Sequence, residues 1–101
     1  MNAFGISSRS FEYIKQIFES YPEIKEVLVF GSRAKGNYRN GSDIDLAIKG
    51  SGNCLKLALD ISGILNERLP IPYQVDVLSY PDLENSDLKS HIDRVGKSLF
   101  L

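Results

Sequence analysis

The sequence predicts an α/β (α+β) fold, a three-stranded mixed sheet covered by helices in the order α-β-α-β-α-β-α. Residues 27–30 are continuously apolar, which is typical of a strand buried on both faces. In residues 43–49 and 74–78, β-branched or leucine side chains occupy every second position (44, 46, 48, and 75, 77), which is the period of two that a strand has. Apolar residues at helical spacing precede, separate and follow these segments.

Four helices are predicted from this spacing and from residues that begin or end a helix. Side chains that can cap a helix precede the three longer ones, at Ser7 or Ser8, Asn53, and Asn85 or Ser86. Proline or glycine ends each of the four, at Pro22, Gly36, Pro70 and Gly96. The third of these helices is expected to bury Leu55, Ala58, Leu59, Ser62, Leu65 and Leu69.

The lengths of the connections predict how the strands pair. The first strand (residues 26–30) and the second (43–49) are joined by a short segment and are expected to be antiparallel. The second and third are joined by a helix, which favours a parallel pair with a right-handed crossover. The apolar residues 99–101 are expected to pack against the rest of the chain.

Length and composition favour one domain, residues 1–101, and exclude several kinds of function. The formal net charge is -1, so no extended nucleic-acid surface is expected. With one cysteine (Cys54) and one histidine (His91), neither an intrachain disulfide nor a Cys/His zinc site is possible. No segment resembles a signal peptide or a membrane span, and a cytoplasmic location is expected.

Three carboxylates are the candidate catalytic groups. Asp43 and Asp45 are two positions apart on a strand, so both side chains project from one face. Such close carboxylates repel each other, and a divalent cation such as Mg²⁺ relieves the repulsion. Asp76 lies on the neighbouring strand and can converge on the same place. Taken alone, an Asp-x-Asp pair is more often two solvated acids at a strand end, and a single strand acid such as Asp76 is also compatible with solvent at a sheet edge.

Gly31 and Ser32 follow the first strand, beside the start of the second in an antiparallel pair. A glycine there lets a phosphate approach the backbone, and the N–H groups of the following short helix then face that phosphate. A phosphate cradle with three carboxylates indicates a two-metal phosphoryl-transfer site. One Mg²⁺ would hold a triphosphate and the other would activate an attacking hydroxyl, with Asp76 helping to accept its proton.

These motifs resemble the nucleotidyltransferase fold of the DNA polymerase beta superfamily, and within it the minimal nucleotidyltransferases of bacteria and archaea. The resemblance rests on GSRAKG at 31–36, SDIDL at 42–46 and VDV at 75–77. It implies that Gly31 and Ser32 bind the β- and γ-phosphates of a nucleoside triphosphate, with ATP expected. It also implies that Asp43 and Asp45 bind two Mg²⁺ ions and that Asp76 holds the catalytic one.

The same resemblance predicts further nucleotide contacts from the motif residues Arg33, Lys35 and Ser42. Lys35 stands where the family often has arginine, which keeps the charge but not the bidentate geometry. With Arg39, the basic residues form a local cluster that suits a triphosphate, although each alone could be an exposed helix charge. Tyr38, in the adjacent loop, is a candidate to stack on the base.

Family members often pair with a small helical protein of the HEPN type. In such pairs the minimal nucleotidyltransferase can act as an antitoxin that transfers AMP to a tyrosine of the toxin, and the resemblance implies that possibility here. A non-catalytic subunit that neutralises its partner by occlusion is the alternative. Transfer to an antibiotic-like small molecule is a weaker one, since relatives of that kind carry an additional domain around the acceptor. A site open on one side would be completed by a homodimer or a heterocomplex.

Overall fold

The computed structural model describes residues 4–100, which contain the predicted helices and strands in the predicted order. The elements are α1 (Ser8–Glu19), β1 (Ile24–Phe30), α2 (Gly31–Lys35), β2 (Ile44–Gly50), α3 (Cys54–Glu67), β3 (Val75–Ser79), α4 (Ser86–Val95) and β4 (Lys97–Ser98). A single 3₁₀ turn at Tyr80–Asp82 joins β3 to the segment before α4.

The sheet has the strand order β3-β2-β1-β4, with four strands instead of the predicted three. As predicted, β1 and β2 are antiparallel and β2 and β3 are parallel. The additional strand β4 pairs antiparallel with β1 through Leu28↔Ser98 and Val29↔Lys97. A two-residue strand is too short to show a period of two, so its pairing depends on a tertiary contact that no local pattern encodes.

One face of the sheet packs on α1 and α3 and forms the larger core. The strands contribute Val27, Val29, Ile44, Leu46, Ile48, Val75 and Val77. The helices contribute Ile14, Phe18, Ala58, Ile61 and Leu65. Each fully buried aliphatic side chain of this kind stabilises the fold by roughly 1.5–3 kcal/mol relative to its exposed state.

The opposite face of the sheet is covered by α4 over part of its length. Phe30 and Ala47 pack there with Ile92 of α4 in a smaller buried cluster. By strand alternation, Asp45 lies on the same face as Ala47, and Asp76 on the same face as Leu78. Both aspartates are only half-buried, so the acidic end of this face remains accessible to a ligand.

The helix N-caps are the predicted residues, but the buried face of α3 differs from the predicted one. Ser7, Asn53 and Asn85 each accept a hydrogen bond from a first-turn N–H group. Leu55 and Leu59, which were expected in the core, are 49% and 66% exposed, while Cys54 and Ile61 are buried. The apolar residues of α3 surround the helix too evenly for spacing alone to choose the buried side.

The C-terminal segment packs as predicted as far as the structure describes it. Leu99 is buried, and its N–H donates to the Val27 carbonyl at 3.0 Å. The Phe100 ring lies edge-on to Phe11 and Phe18, with centroid distances of 5.7 and 5.8 Å. Leu101 lies outside the described residues. Among residues 4–100, no helix combines the length and the apolar character that crossing a membrane requires.

Candidate functional site

The corner between β1 and α2 places Gly31 against Asp45. Phe30, the last residue of β1, pairs with Asp45 of β2, so the next residue turns over the Asp45 side chain. Gly31 has φ +72, and a Cβ built there would overlap Asp45 Oδ2. The backbone conformation and the contact therefore both require glycine at this position.

The strand register brings Asp76 level with Asp45. The two residues are partners in the parallel β2–β3 ladder, and both are half-buried. Asp43 precedes β2 and is exposed. Burial raises the pKa of the Asp45 carboxyl, the charges of Asp76 and then Asp43 raise it further, and Arg33 lowers it. The three predicted acids therefore interact at one end of the sheet.

The donor set fits Mg²⁺ in its chemistry, although the side chains do not form a finished ligand cage. Within residues 4–100, no group of three or more His, Cys, Asp or Glu side chains is arranged to hold a metal ion. Mg²⁺ commonly uses one or two carboxylates and takes its remaining ligands from substrate phosphates and water. Asp45 and Asp76 supply carboxylates of this kind, and their mutual repulsion is what a bound cation would relieve.

The first turn of α2 offers backbone N–H groups beside the acids. Phe30, its N-cap residue, makes no side-chain capping hydrogen bond. The first N–H groups of a helix have no partner within the helix, so they are available to an incoming acceptor. Gly31 is an exception, because its N–H donates to His91 Nε2 of α4 at 3.2 Å. As predicted, α2 ends at Gly36, where φ is +85.

Lys35 and Ser42 have different environments near the site. Lys35 is exposed on α2. Ser42 lies in the α2–β2 loop (residues 36–43), where its Oγ accepts from the Arg39 N–H at 2.8 Å. The Ser42 hydroxyl thus accepts a hydrogen bond within the loop, whereas Lys35 is open to solvent.

Arg33 is buried, which no pattern in the sequence indicates. Its side chain is 2% exposed, and its guanidinium donates to the backbone carbonyls of Phe4, Ser42 and Asp43. The Tyr38 and Tyr73 rings lie over the guanidinium at 5.0 and 4.7 Å. Tyr38 is therefore packed on Arg33, so stacking on a nucleotide base would require it to leave this contact.

Two residues near the site were not among the predicted candidates. The bond of His91 to Gly31 spans sixty positions of sequence, beyond the reach of any local motif. Only the folded chain brings the Tyr73 ring over Arg33. No local sequence pattern indicates either contact, because both depend on how α4 and the segment before β3 pack against α2.

Comparisons with known proteins identify the family and the fold of the chain. The profile of the family described as "Polymerase beta, Nucleotidyltransferase" matches residues 12–101. No curated protein sequence matches the chain significantly.

Three solved structures share the fold. A toxin–antitoxin complex with AMP-PNP has a TM-score of 0.63 at 22% identity, with 90% of this chain and 72% of that chain covered. The MntA–HepT toxin–antitoxin has a TM-score of 0.66 at 18% identity, covering 93% and 72%. A complex of tri-AMPylated Shewanella oneidensis HEPN toxin with MNT antitoxin has a TM-score of 0.57 at 18% identity, covering 91% and 70%. With the family profile spanning most of its length, this chain belongs to the polymerase beta nucleotidyltransferase family.

Proposed function

We propose that this chain transfers AMP from ATP to a tyrosine hydroxyl of a helical HEPN-type partner, and so acts as the antitoxin of a toxin–antitoxin pair. Membership of the nucleotidyltransferase family supports nucleotidyl transfer as the reaction. The fold is shared with an antitoxin complexed with AMP-PNP and with an MNT antitoxin bound to an AMPylated HEPN toxin, which supports this nucleotide and this kind of partner.

The observation that carries the proposal is the position of Asp45. It lies level with Asp76 across the parallel ladder and directly beneath Gly31 at the start of α2. A triphosphate held at the first turn of α2 would therefore lie within reach of the carboxylates. Burial and the charges of Asp76 and Asp43 raise the pKa of Asp45, and a bound cation would offset the cost of its charged form.

Each side chain has a role in the proposed site. Asp43, Asp45 and Asp76 would hold two Mg²⁺ ions, which supply charge neutralisation to the triphosphate and acidify the attacking hydroxyl. Gly31 and Ser32 would receive the β- and γ-phosphates. Exposed Lys35 would add a positive charge near them. The Ser42 N–H and carbonyl are bonded to Arg39 and Arg33, so Ser42 would contribute through its hydroxyl, which accepts from the Arg39 N–H and would donate to a phosphate oxygen.

The transfer conserves atoms and charge in one displacement. The acceptor hydroxyl oxygen forms a bond to the α-phosphorus, and the bond between that phosphorus and the bridging oxygen to the β-phosphate breaks. Pyrophosphate leaves with the bridging oxygen. A carboxylate oxygen of Asp76 accepts the proton released from the hydroxyl.

Co-expression with the product of the neighbouring gene tests the proposal, with intact masses of both proteins measured. We expect one or more AMP units on the partner with the wild-type chain and none with Asp45→Asn. The matched control is Asp60→Asn, because Asp60 is an exposed α3 residue paired with Lys56 at 2.8 Å, away from the site. AMP transfer retained by folded Asp45→Asn would reject the proposed site, and its loss in the Asp60 variant would show that the assay reports general damage.

Neutralisation by binding alone is the second candidate, and the exposed Leu55 and Leu59 of α3 favour it. An exposed apolar pair of this kind can contribute to a protein interface. The variant that changes Asp43, Asp45 and Asp76 to Asn separates the two functions. A partner that is bound but still toxic favours transfer, whereas a partner neutralised without any mass gain favours occlusion.

Other features of the proposed function concern its setting. Homodimerisation, or the partner itself, would cover the open side of the site. ATP-dependent control of a toxin would place the pair in the cytoplasm, where we propose that it acts. Transfer to an antibiotic-like small molecule remains the weaker alternative, and modification of an aminoglycoside by the isolated chain would support it.

A further inference from the structure

Arg33 is, among residues 4–100, the one charged residue with a buried side chain. Burial of an ionised group is costly unless hydrogen bonds replace the water it loses. Arg33 has no carboxylate within ion-pair distance in the described chain, so backbone carbonyls provide that replacement. The question is therefore what these hydrogen bonds of the buried Arg33 side chain do for the site.

The bonds of Arg33 converge on the two peptide groups that flank Asp43. Its Nη2 donates to the Ser42 carbonyl at 2.7 Å, and its Nε donates to the Ser42 and Asp43 carbonyls at 3.2 and 3.3 Å. The backbone before and after the Asp43 Cα is therefore tied to one rigid guanidinium plane, most closely at the Ser42–Asp43 peptide.

Asp43 depends on this tie because the strand does not hold it. The β1–β2 ladder ends at the pair Phe30↔Asp45, and the β2–β3 ladder begins at Ile44↔Val75. Asp43 lies outside both ladders, at the end of the α2–β2 loop. The sheet reaches only its C-terminal side, where the Ile44 N–H donates to the Gln74 carbonyl at 2.8 Å. The Ser42–Asp43 peptide is therefore held by the Arg33 bonds, whereas Asp45 and Asp76 are fixed by the sheet.

The guanidinium is itself held from three sides. Its Nη1 donates to the Phe4 carbonyl at 2.8 Å. The rings of Tyr38 and Tyr73 lie over it, and such cation–π contacts are stronger when they are shielded from water. Tyr38 is in turn packed against Gly5, where a Cβ would overlap its ring.

We propose that Arg33 is a positioning residue that holds the Ser42–Asp43 peptide, so that the Asp43 carboxylate joins those of Asp45 and Asp76, and that it does not contact the nucleotide. The inference rests on the proposed function for the reaction it serves. It replaces the phosphate contact that the motif predicts for Arg33, since a side chain that is 2% exposed presents little surface to a ligand.

The variant Arg33→Lys tests the proposal because it keeps the charge. A lysine ammonium lacks the planar fork that reaches two adjacent carbonyls and stacks between two rings. Arg9→Lys is the matched control, since it makes the same chemical change at an exposed position of α1. Two measurements are made on each protein: amide hydrogen exchange in residues 37–43, and transfer kinetics at varied ATP and Mg²⁺.

With Arg33→Lys we expect the amides of residues 37–43 to exchange about tenfold faster, because the loop opens more often. We expect kcat to fall by about tenfold to a hundredfold, the scale of a displaced catalytic group, with a smaller change in KM for ATP. The Mg²⁺ concentration for half-maximal rate should rise. Arg9→Lys should change none of these quantities.

Two outcomes would overturn the proposal. If Arg33→Lys has the same amide exchange in residues 37–43 and the same kcat as the wild type, the guanidinium is not needed to hold the loop. A raised KM for ATP with kcat unchanged would indicate a nucleotide contact. If Arg33→Lys fails to fold, Tyr38→Leu is tested in the same way, because it removes one stacked ring and leaves the guanidinium bonds in place; an effect in the same direction is expected, and none would overturn the proposal.

The exchange measurement separates this proposal from the proposed function. If the wild-type chain transfers no nucleotide, the proposed function fails. The exchange comparison of Arg33→Lys with Arg9→Lys then decides alone whether Arg33 holds the loop.

Discussion

At the scale of single residues, the site consists of close approaches between groups that are distant in sequence. Gly31 lies directly against Asp45, and its N–H is bonded to His91. Arg33 fixes the backbone of Asp43. Each of these contacts is a separate place where one substitution should have a measurable effect.

Replacing Gly31 by alanine should destabilise the fold and abolish transfer. An alanine at positive φ costs about 1–2 kcal/mol, and the added Cβ would also displace the Asp45 carboxylate. Gly52→Ala is the control, because Gly52 has a similar φ of +76 and open space around its Cβ. Urea unfolding should show that both variants are less stable than the wild type. The transfer assay should show loss of activity only in Gly31→Ala. Equal behaviour of the two variants would contradict the importance of the Gly31–Asp45 contact.

Asp45→Asn should stabilise the metal-free protein while it removes transfer. The folded-state pKa of Asp45 is raised, so its contribution to stability is fully present below the ordinary aspartate pKa and is lost as pH rises through the raised value. The asparagine variant avoids that loss. Thermal unfolding at pH 7 should give a melting temperature above that of the wild type, and the difference should shrink as the pH falls below about 4, the ordinary aspartate pKa. A lower melting temperature at pH 7 would show that the Asp45 charge is compensated in the free protein.

At the scale of elements, α3 and β3 are joined by the side chain of Asn66. Its carboxamide accepts from the Val75 N–H at 2.8 Å and donates to the Val75 carbonyl at 2.7 Å, and it also donates to the Ser62 carbonyl. Because β3 is an edge strand, one amide side chain thus takes the place of a neighbouring strand at Val75. This bond pair fixes the residue directly before Asp76.

Removing the Asn66 carboxamide should therefore loosen the start of β3. Asn66→Ala should lower the free energy of unfolding by about 1–3 kcal/mol, because buried backbone groups lose their partners. Asn66→Asp is the informative companion, since a carboxylate can accept from the Val75 N–H but cannot donate to the Val75 carbonyl. Urea unfolding should place the aspartate variant below the wild type as well. Full stability in both variants would mean that water satisfies Val75 equally well.

At the scale of the whole molecule, the features that could be predicted are those that follow from regular local patterns in the sequence. The order of elements, both predicted strand pairings and the caps at Ser7, Asn53 and Asn85 follow from local patterns. The acids Asp45 and Asp76 meet because strand alternation and parallel register are themselves regular. Their roles as metal ligands and the nucleotide contacts stay predictions.

The features that local patterns miss all depend on docking between distant segments. The strand β4, the burial of Arg33 and the His91–Gly31 bond each join residues far apart in sequence. The buried side of α3 is also chosen by the sheet it meets, which is why Leu55 and Leu59 are exposed. For Arg33 the charge of the side chain favours exposure, because an arginine is usually solvated, whereas the structure buries it.

The position of β4 has a consequence for how the protein is made. Strand β1 is an internal strand, but one of its two neighbours comes from residues 97–98. During synthesis, the β1–α2 corner and the first two carboxylates, Asp43 and Asp45, are made well before that neighbour. Until then the nascent chain presents an open strand edge of β1, of the kind that pairs with other chains. Translation that pauses between α3 and β4 should thus favour chaperone capture or aggregation, because β1 is covered on both sides only once β4 has been made.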